Sequence, residues 1–294
     1  MPAGNASLDD LRREIDEIDD AIHDLIMRRT EIGRAIGATK AGNGPAMRPG
    51  REAQILRRLV ARHQGDFPRP VLVRIWREII NAFIALQGPF SVAASVIEDD
   101  VDLGRLARDH FGSQTPVRGL ESNTSVLRAV SEGEVTVGVL PLPRSEESNP
   151  WWRHLARDGD TVPRIVARLP FTAVPLARAD EPDGLAIALA QPEQSGEDRG
   201  FLALETPEPL SRSALRTLLG DSGFAVLDIQ TWEEAPERRL HLVEVEGYLS
   251  DSDPRIGRLV NPGADLLSHC WAIGGYAVPL SEERLVAPPL ESVS

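Results

Sequence analysis

Residues 8–40 read LDDLRREIDEIDDAIHDLIMRRTEIGRAIGATK, and apolar side chains recur in this stretch every three or four positions. The apolar positions are Leu8, Leu11, Ile15, Ile18, Ile22, Leu25, Ile32 and Ile36. This spacing marks one face of an α-helix, and Ser7, followed by Asp9 and Asp10, is a suitable N-terminal cap. The stretch therefore predicts a single helix roughly 50 Å long, whose apolar stripe requires a partner helix.

Arg29 stands on this stripe, at the missing apolar position between Leu25 and Ile32. A buried arginine needs an anion, which can be an acidic residue of a neighbouring helix or a bound ligand. Lys40 is the only lysine of the chain, and it follows on nearly the same face, roughly 16 Å further along the axis. Arg12 lies on the flank, about 25 Å from Arg29, so it could reach a common site only from an antiparallel second chain.

Two shorter helices are predicted after this one. Pro49 precedes the second helix, which carries Arg51 and Glu52, and the third helix runs from about Val71 to Gln87. The residues of the third helix expected to point inward are Leu72, Ile75, Trp76, Ile79, Phe83 and Leu86. An all-helical region with arginine, lysine, glutamate and glutamine directed toward its core predicts a site for a small polyanion.

Charge is distributed unevenly along the 294 residues. Residues 1–90 carry 14 basic and 12 acidic side chains, whereas the remainder carries 18 basic and 33 acidic ones, for a net charge of −13. An acidic body argues against nucleic acid or an anionic membrane as partner. The single cysteine, Cys270, excludes an intramolecular disulfide. Since no apolar run has the length of a membrane span and the first residues lack a secretion signal, we expect a cytoplasmic protein.

Three segments of the chain resemble a known family. LDDLRREIDEIDDAIHDLIMRRTEIGRAIGATK, RPGREAQIL and IWREIINAFIALQ are together similar to the all-helical chorismate mutases, in the arrangement found at the N-terminus of bifunctional chorismate mutase/prephenate dehydratases. The resemblance implies a three-helix domain at residues 1–88 that forms an intertwined homodimer. It also implies conversion of chorismate to prephenate without a cofactor, since this unimolecular rearrangement needs neither proton transfer nor a covalent intermediate.

The resemblance assigns a role to each matching polar residue. Arg29 and Arg51 fall on positions that bind the substrate carboxylates, a task suited to arginine forks. Arg12 falls on the arginine that the second subunit donates. Lys40 and Gln87 fall on the catalytic pair that hydrogen-bonds the ether oxygen, where negative charge grows in the transition state.

Three further positions complete the expected pocket. Glu52 falls on the carboxylate that holds the ring hydroxyl. Arg48 occupies a substrate-binding loop position where some family members have an acidic ligand. Phe83 stands where the family often has a small or hydroxyl side chain, so its ring either narrows the pocket or fills core.

Beyond residue 88 the hydrophobic period changes to that of an α/β layer. FSVAASV, EVTVGVLPLP and PRIVARLPF predict strands, and DLGRLARDHFG and TSVLRAVSEG predict helices. This order resembles the first lobe of prephenate dehydratase, so residues 89–195 are expected to form a truncated dehydratase-like domain. The Thr-Arg-Phe signature of that family does not occur in the sequence, and we expect the dehydratase activity to be lost. Trp151 and Trp152 are expected to pack in a core or interface.

Residues 196–294 are expected to form an ACT-like domain and a tail, because their strands and helices follow the order βαββαβ. The position of the family's phenylalanine-binding Glu-Ser-Arg-Pro sequence is taken by Gln230–Glu233. Whether this domain binds an amino acid therefore stays open, as do three alternative functions. These are a working bifunctional mutase/dehydratase, an isochorismate pyruvate-lyase, and a non-catalytic effector-binding or partner subunit.

Overall fold

The computed structural model describes residues 7–39, 47–96, 102–145, 147–172, 183–235, 238–259 and 266–286. Three helices open the chain: α1 (Leu8–Thr39), α2 (Pro49–Arg62) and α3 (Arg69–Gln87). The start of α1 is capped as predicted, because the Asp10 amide donates to Ser7 Oγ while the Ser7 amide donates to Asp10 Oδ2, each at 3.2 Å. The three predicted helices are confirmed.

The apolar stripe of α1 is largely uncovered within one chain. Its members, Leu8, Leu11, Ile15, Ile18, Ile22, Leu25, Ile32 and Ile36, are 46% to 66% exposed. The contacts that α1 makes lie toward its C-terminal end, against α3. A helix with so much exposed apolar surface has the pattern expected of one that packs against another chain.

Helices α2 and α3 pack on each other and against the rest of the chain. The buried residues of α3 are Val73, Arg77, Ile80, Asn81, Phe83 and Ile84. The prediction that Ile75 and Leu86 point inward is wrong, since they are 41% and 51% exposed. The reason is that α3 turns Arg77 and Asn81 toward the α/β part, where both donate to the carbonyl oxygen of His110.

Among the described residues, nine strands form one sheet, in the order β2-β1-β3-β5-β4-β9-β6-β8-β7. The strands of its first half are β1 (Val92–Ser95), β2 (Val117–Leu120), β3 (Val137–Pro141), β4 (Arg164–Leu169) and β5 (Gly184–Ala188). The helices of this half are α4 (Leu103–Phe111) and α5 (Asn123–Ser131). Strands β1, β2 and β3 are parallel, whereas β5 is antiparallel to both neighbours. All five predicted elements are present, and β2 and β5 are two that the pattern did not reveal.

The second half has the predicted βαββαβ order. Its elements are β6 (Asp198–Thr206), α6 (Arg212–Asp221), β7 (Val226–Ala235), β8 (Arg238–Glu246), α7 (Pro254–Leu259) and β9 (His269–Ala277), followed by α8 (Glu282–Leu285). The four strands are antiparallel to their partners within this half. Strand β9 joins the first half through Ile165 of β4, opposite Gly274. A side chain at Gly274 would lie 2.2 Å from the Ile165 carbonyl oxygen, so this junction requires glycine.

The indole rings of Trp151 and Trp152, in a short 3-10 helix at Trp151–Leu155, are each 1% exposed. Trp151 donates from Nε1 to the Pro141 carbonyl oxygen at 3.0 Å. The expectation that these residues serve packing is confirmed. Within the described ranges, no helix has the combined length and apolarity that a membrane span demands.

Candidate active site

The contact between α1 and α3 brings two of the predicted site residues close together. The guanidinium carbon of Arg29 lies 4.1 Å from the centre of the Phe83 ring. One turn further along α1, a Cβ added at Gly33 would lie 3.2 Å from the same ring, and two turns along, one at Gly37 would lie 3.6 Å from Cγ of Gln87. Glycine at position 33 lets the helices approach closely, whereas a Cβ at position 37 would make an ordinary van der Waals contact. Arg29 and Gln87 therefore lie along one seam, about two turns apart.

Arg29 is the half-buried cation of this seam. Burial lowers the pKa of its guanidinium, although the group stays charged at neutral pH. No carboxylate of the described residues lies within ion-pair distance of it, and its neighbour is the Phe83 ring, with which it makes a cation–π contact. The salt bridge that would make Arg29 purely structural is therefore absent from the described part of the chain.

Gln87 ends α3 with an exposed side chain whose Nε2 donates to the Phe83 carbonyl oxygen at 3.3 Å. An amide nitrogen carries two hydrogens, so one donor remains available to a ligand. Phe83 itself is 9% exposed and lies between Arg29 and the helix backbone. Its ring is therefore part of the core and also packs against the Arg29 guanidinium. Lys40, the other member of the expected catalytic pair, lies outside the described residues.

Helix α2 carries the second group of predicted site residues. Arg48, just before it, donates from Nε to Glu193 Oε1 at 2.6 Å, and Arg51 is exposed and donates to Gln54 Oε1 at 3.2 Å. Arg51 is free of carboxylate partners in the described part of the chain and is available to an anion. Arg48 is engaged with the loop between β5 and β6.

Glu52 follows Arg51 on α2, and its Oε1 atom is buried without a hydrogen-bond partner among the described residues. Burial raises the pKa of Glu52, and the charge of the buried Arg77 opposes this shift. Burial in turn lowers the pKa of Arg77 to about 10. The guanidinium of Arg77 also lies 5.2 Å from the Phe171 ring centre. Glu52 therefore offers a buried acceptor that a hydroxyl donor could satisfy.

Arg12 stands near the far end of α1, where its side chain is 67% exposed and pairs with Asp9 at 3.4 Å. Its separation from Arg29 along one helix is about 25 Å. The structure thus places Arg29 and Gln87 along the same α1–α3 contact, about two turns apart, while Arg48, Arg51 and Glu52 lie at the start of α2 and Arg12 stands apart. Sequence reasoning missed Arg77, although its i, i+4 spacing with Asn81 on an apolar helix was a usable signal.

Chemically, this region offers guanidinium groups, amide donors and one buried carboxyl group. Within the described ranges, no group of three histidine, cysteine or acidic side chains is arranged to hold a metal ion. Such an array binds and orients an anion and supplies hydrogen bonds to it.

Comparisons with known proteins point to the same chemistry. Residues 11–88 match the model of the family described as chorismate mutase type II. A bifunctional chorismate mutase/prephenate dehydratase from Stutzerimonas stutzeri is 30% identical over 143 residues, which cover 47% of this chain and 39% of that protein. An intracellular chorismate mutase from Mycolicibacterium smegmatis is 44% identical over 54 residues, 18% of this chain and 52% of that protein.

Among solved structures, a prephenate dehydratase from Streptococcus mutans superposes with a TM-score of 0.45 and 15% identity, over 65% of this chain and 100% of that one. The family match and the curated relatives confirm that residues 11–88 resemble chorismate mutases, as the sequence indicated. The chain spans about two fifths of the length of the first curated relatives it matches.

Proposed function

We propose that this chain is a chorismate mutase that converts chorismate to prephenate in phenylalanine and tyrosine biosynthesis. The observation that carries the proposal is Arg29, a half-buried cation without a carboxylate partner in the described structure, on the same α1–α3 seam as Gln87. This pair lies inside the region that matches the chorismate mutase family. A helix used only for association would carry an apolar residue at that position.

The residues divide the work of the reaction between binding and charge stabilisation. Arg29 and Arg51 hold the substrate carboxylates, which fixes the dianion in its compact reactive conformer. Gln87 and Lys40 donate to the ether oxygen as its bond to carbon breaks. Glu52 accepts from the ring hydroxyl, for which its buried and unpartnered Oε1 is suited. Arg48 is available to the substrate only when its pair with Glu193 opens.

A homodimer completes this site. The exposed stripe of α1 supplies a long apolar surface for a second copy. In an antiparallel arrangement, Arg12 of each chain reaches the pocket built around Arg29 of the other. Arg12 is free to make this contact, because it is exposed and held only by a weak surface pair with Asp9.

The remaining segments are assigned by the same reasoning. Residues 1–88 form the mutase domain, 89–195 a truncated dehydratase-like domain, and 196–294 an ACT-like domain and tail in a cytoplasmic enzyme. The βαββαβ order with strand order β9-β6-β8-β7 supports the ACT-like assignment.

A bifunctional mutase/dehydratase is the second candidate, since several relatives carry that name and the 143-residue alignment must extend past residue 88. The missing Thr-Arg-Phe signature speaks against it. Isochorismate pyruvate-lyase and a non-catalytic partner subunit are the outcomes to which a negative mutase assay would point.

The decisive experiment follows the loss of chorismate absorbance with purified protein and then divides the product. One aliquot is acidified to convert prephenate to phenylpyruvate, and the other is assayed directly. Phenylpyruvate found only after acid supports a mutase alone, whereas phenylpyruvate in both aliquots reveals a dehydratase. Unchanged chorismate would overturn the proposal, and isochorismate is then tested as substrate.

A further inference from the structure

The loop between β5 and β6, residues 189–197, is fixed to α2 by side chains of the helix. Gln54 donates from Nε2 to the Gln194 carbonyl oxygen at 3.2 Å, and Arg57 donates from Nη1 to Ser195 Oγ at 2.9 Å. These contacts join segments that lie about 140 positions apart in sequence. The α/β part of the chain therefore holds this loop against the helix that carries several of the proposed substrate-binding residues.

Glu193 is the acidic residue of this loop that lies nearest the start of α2. Its backbone packs on Gly50, where an added Cβ would lie 2.5 Å from the Glu193 carbonyl oxygen. Its carboxylate is held at one oxygen, because Arg48 donates from Nε to Oε1 at 2.6 Å. The other oxygen, Oε2, is buried without a hydrogen-bond partner among the described residues. A buried acceptor of this kind is suited to a donor supplied by a ligand.

Glu52 presents a second acceptor of the same kind, since its Oε1 atom is also buried without a partner in the described part of the chain. The two carboxyl groups are neighbours in space. Burial raises the pKa of Glu52, and the negative charge of Glu193 adds to that shift. Two unsatisfied acceptors therefore lie together at the start of α2, where the proposed mutase site holds the ring hydroxyl of its substrate.

Two arginines balance the two carboxyl groups. Arg48 pairs with Glu193, and the charge of the buried Arg77 acts on Glu52 and opposes the rise of its pKa. Two positive and two negative side chains give this group no formal net charge. A neutral hydrogen-bond donor such as a hydroxyl therefore suits the group better than another ion does.

We propose that Glu193 is a further substrate-binding residue of the mutase site and accepts, together with Glu52, a hydrogen bond from the ring hydroxyl of chorismate. This inference rests on the proposed function. The hydroxyl hydrogen is shared between Glu52 Oε1 and Glu193 Oε2 in a three-centre hydrogen bond. Arg48 then serves as a positioning residue that holds Glu193. The site is thus completed by a residue from outside the helical region.

The test compares Glu193→Gln with the wild type in the full chain. Glutamine keeps an oxygen for Arg48 and places an amide nitrogen where Oε2 was, so the acceptor is lost while the shape stays. We expect kcat/KM for chorismate to fall about tenfold or more, mainly through a higher KM. The inhibition constant of the deoxy analogue of chorismate that lacks the ring hydroxyl should stay close to the wild-type value.

Glu197→Gln is the matched control. Glu197 belongs to the same loop and also pairs with an arginine, Arg284, at 3.0 Å, but its side chain is 47% exposed. Its kcat/KM should equal that of the wild type. Circular dichroism checks the fold of each variant. If Glu193→Gln does not fold, Glu193→Asp takes its place, since the shorter side chain keeps the charge but withdraws the acceptor, and the same result is expected.

The outcomes separate this role from the proposed function. If the wild type converts chorismate and the Glu193 variant is equally active, Glu193 does not bind the substrate and the mutase activity stands. Equal losses for chorismate and for the deoxy analogue, or an equal loss in Glu197→Gln, would likewise overturn the role of Glu193. A wild-type protein that leaves chorismate unchanged would overturn the proposed function and this role together.

Discussion

Arg29 combines two properties that are rarely found together without a ligand: it is half buried, and it has no carboxylate partner in the described structure. We predict that Arg29→Ala lowers kcat/KM for chorismate by about a hundredfold or more, since a charge-assisted contact to a substrate carboxylate is lost. Steady-state kinetics followed by chorismate absorbance measure this effect.

The matched control is Arg28→Ala. Arg28 is the adjacent arginine on α1, about 100° around the helix, and is exposed, so its replacement removes the same charge from outside the seam. We expect its kcat/KM to stay close to that of the wild type. Equal losses in the two variants would show that general charge, and not the seam position, drives the effect.

His241 makes folding sensitive to acid. The ring is 0% exposed, with Nε2 3.0 Å from the Thr206 hydroxyl and Nδ1 2.9 Å from that of Thr231, and burial lowers its pKa to about 4. Below pH 6.5, the ordinary pKa of histidine, His241 is protonated in the unfolded chain but stays neutral in the folded one. The contribution of His241 to the free energy of unfolding is therefore complete above pH 6.5 and is lost as the pH falls toward 4. The loss amounts to about 3 kcal/mol.

Urea unfolding at a series of pH values tests this prediction. His241→Gln lacks the titrating ring, and its free energy of unfolding should fall less steeply between those two pH values. His110, whose pKa burial also lowers, is present in both proteins and cancels in the comparison. Parallel pH profiles for the two proteins would refute the assignment to His241.

How far the site could be read from the sequence depends on the residue. Arg29 could be predicted because it interrupts the apolar stripe of α1, a pattern that is visible within a few helical turns. The buried Arg164 could not, because Asp251, whose Oδ1 lies 3.8 Å from its Nε, is distant in sequence and comes close to it only in the folded chain. Period and spacing describe one element at a time, whereas an unsatisfied buried donor is defined by all its neighbours.

At the scale of single elements, α1 is the helix whose exposed stripe needs another chain. We predict that Ile18→Asp, in the middle of this stripe, converts a dimer into a monomer of 32.1 kDa in light-scattering chromatography and reduces mutase activity. Burying a carboxylate in an apolar seam is strongly unfavourable.

Asp19→Asn is the control for the α1 prediction, because Asp19 is exposed and stands next to the stripe without belonging to it. It should remain a dimer. A dimeric Ile18→Asp protein would mean that another surface carries the association.

Helix α2 is fixed to the loop between β5 and β6. Arg57 donates from Nη2 to the carbonyl oxygens of Glu197 and Val278, and a Cβ at Gly50 would lie 2.5 Å from the Glu193 carbonyl oxygen. We predict that Gly50→Ala costs about 1–3 kcal/mol of stability, since backbone must shift to admit the methyl group. Thermal unfolding measures the change.

Gly220→Ala is the control for Gly50→Ala. Gly220 lies within α6, and a Cβ there meets nothing within 4 Å. Alanine should therefore stabilise this helix slightly, by about 0.5–1 kcal/mol. If both substitutions stabilise, α2 is not held against the loop in the way described.

Elements were easier to predict than their faces. The period of α1, α2 and α3 emerges from the sequence because each is long enough to repeat it. Strands β2 and β5 were not predicted, because each has only four or five residues, too few to show a clear hydrophobic period. The buried face of α3 was misjudged because Arg77 and Asn81 are polar, and only the packing of α4 shows that His110 accepts from them.

At the scale of the whole molecule, the proposed mutase site is built from two chains, whereas the β-sheet is formed within a single chain. The nine-stranded sheet continues through the Ile165–Gly274 pair, across the proposed boundary between the two α/β parts. Helix α1 instead leaves the apolar stripe of its N-terminal half exposed, without a covering element among the described residues. The proposed activity is therefore a property of the dimer, and two variants that each lack one of the shared arginines test this.

Two inactive variants should restore each other. In a dimer that pairs an Arg12→Ala chain with an Arg29→Ala chain, one site keeps both arginines and the other loses both. Random assortment makes about half of all dimers mixed, so refolding the two variants together should recover about a quarter of wild-type activity per site. Each variant refolded alone should stay near its own low activity.

Arg13→Ala, in which the exposed neighbour of Arg12 is removed, serves as the control and should be active by itself. Activity of the mixture equal to the average of the two separate variants would place Arg12 and Arg29 in different functions and exclude a site shared across the interface.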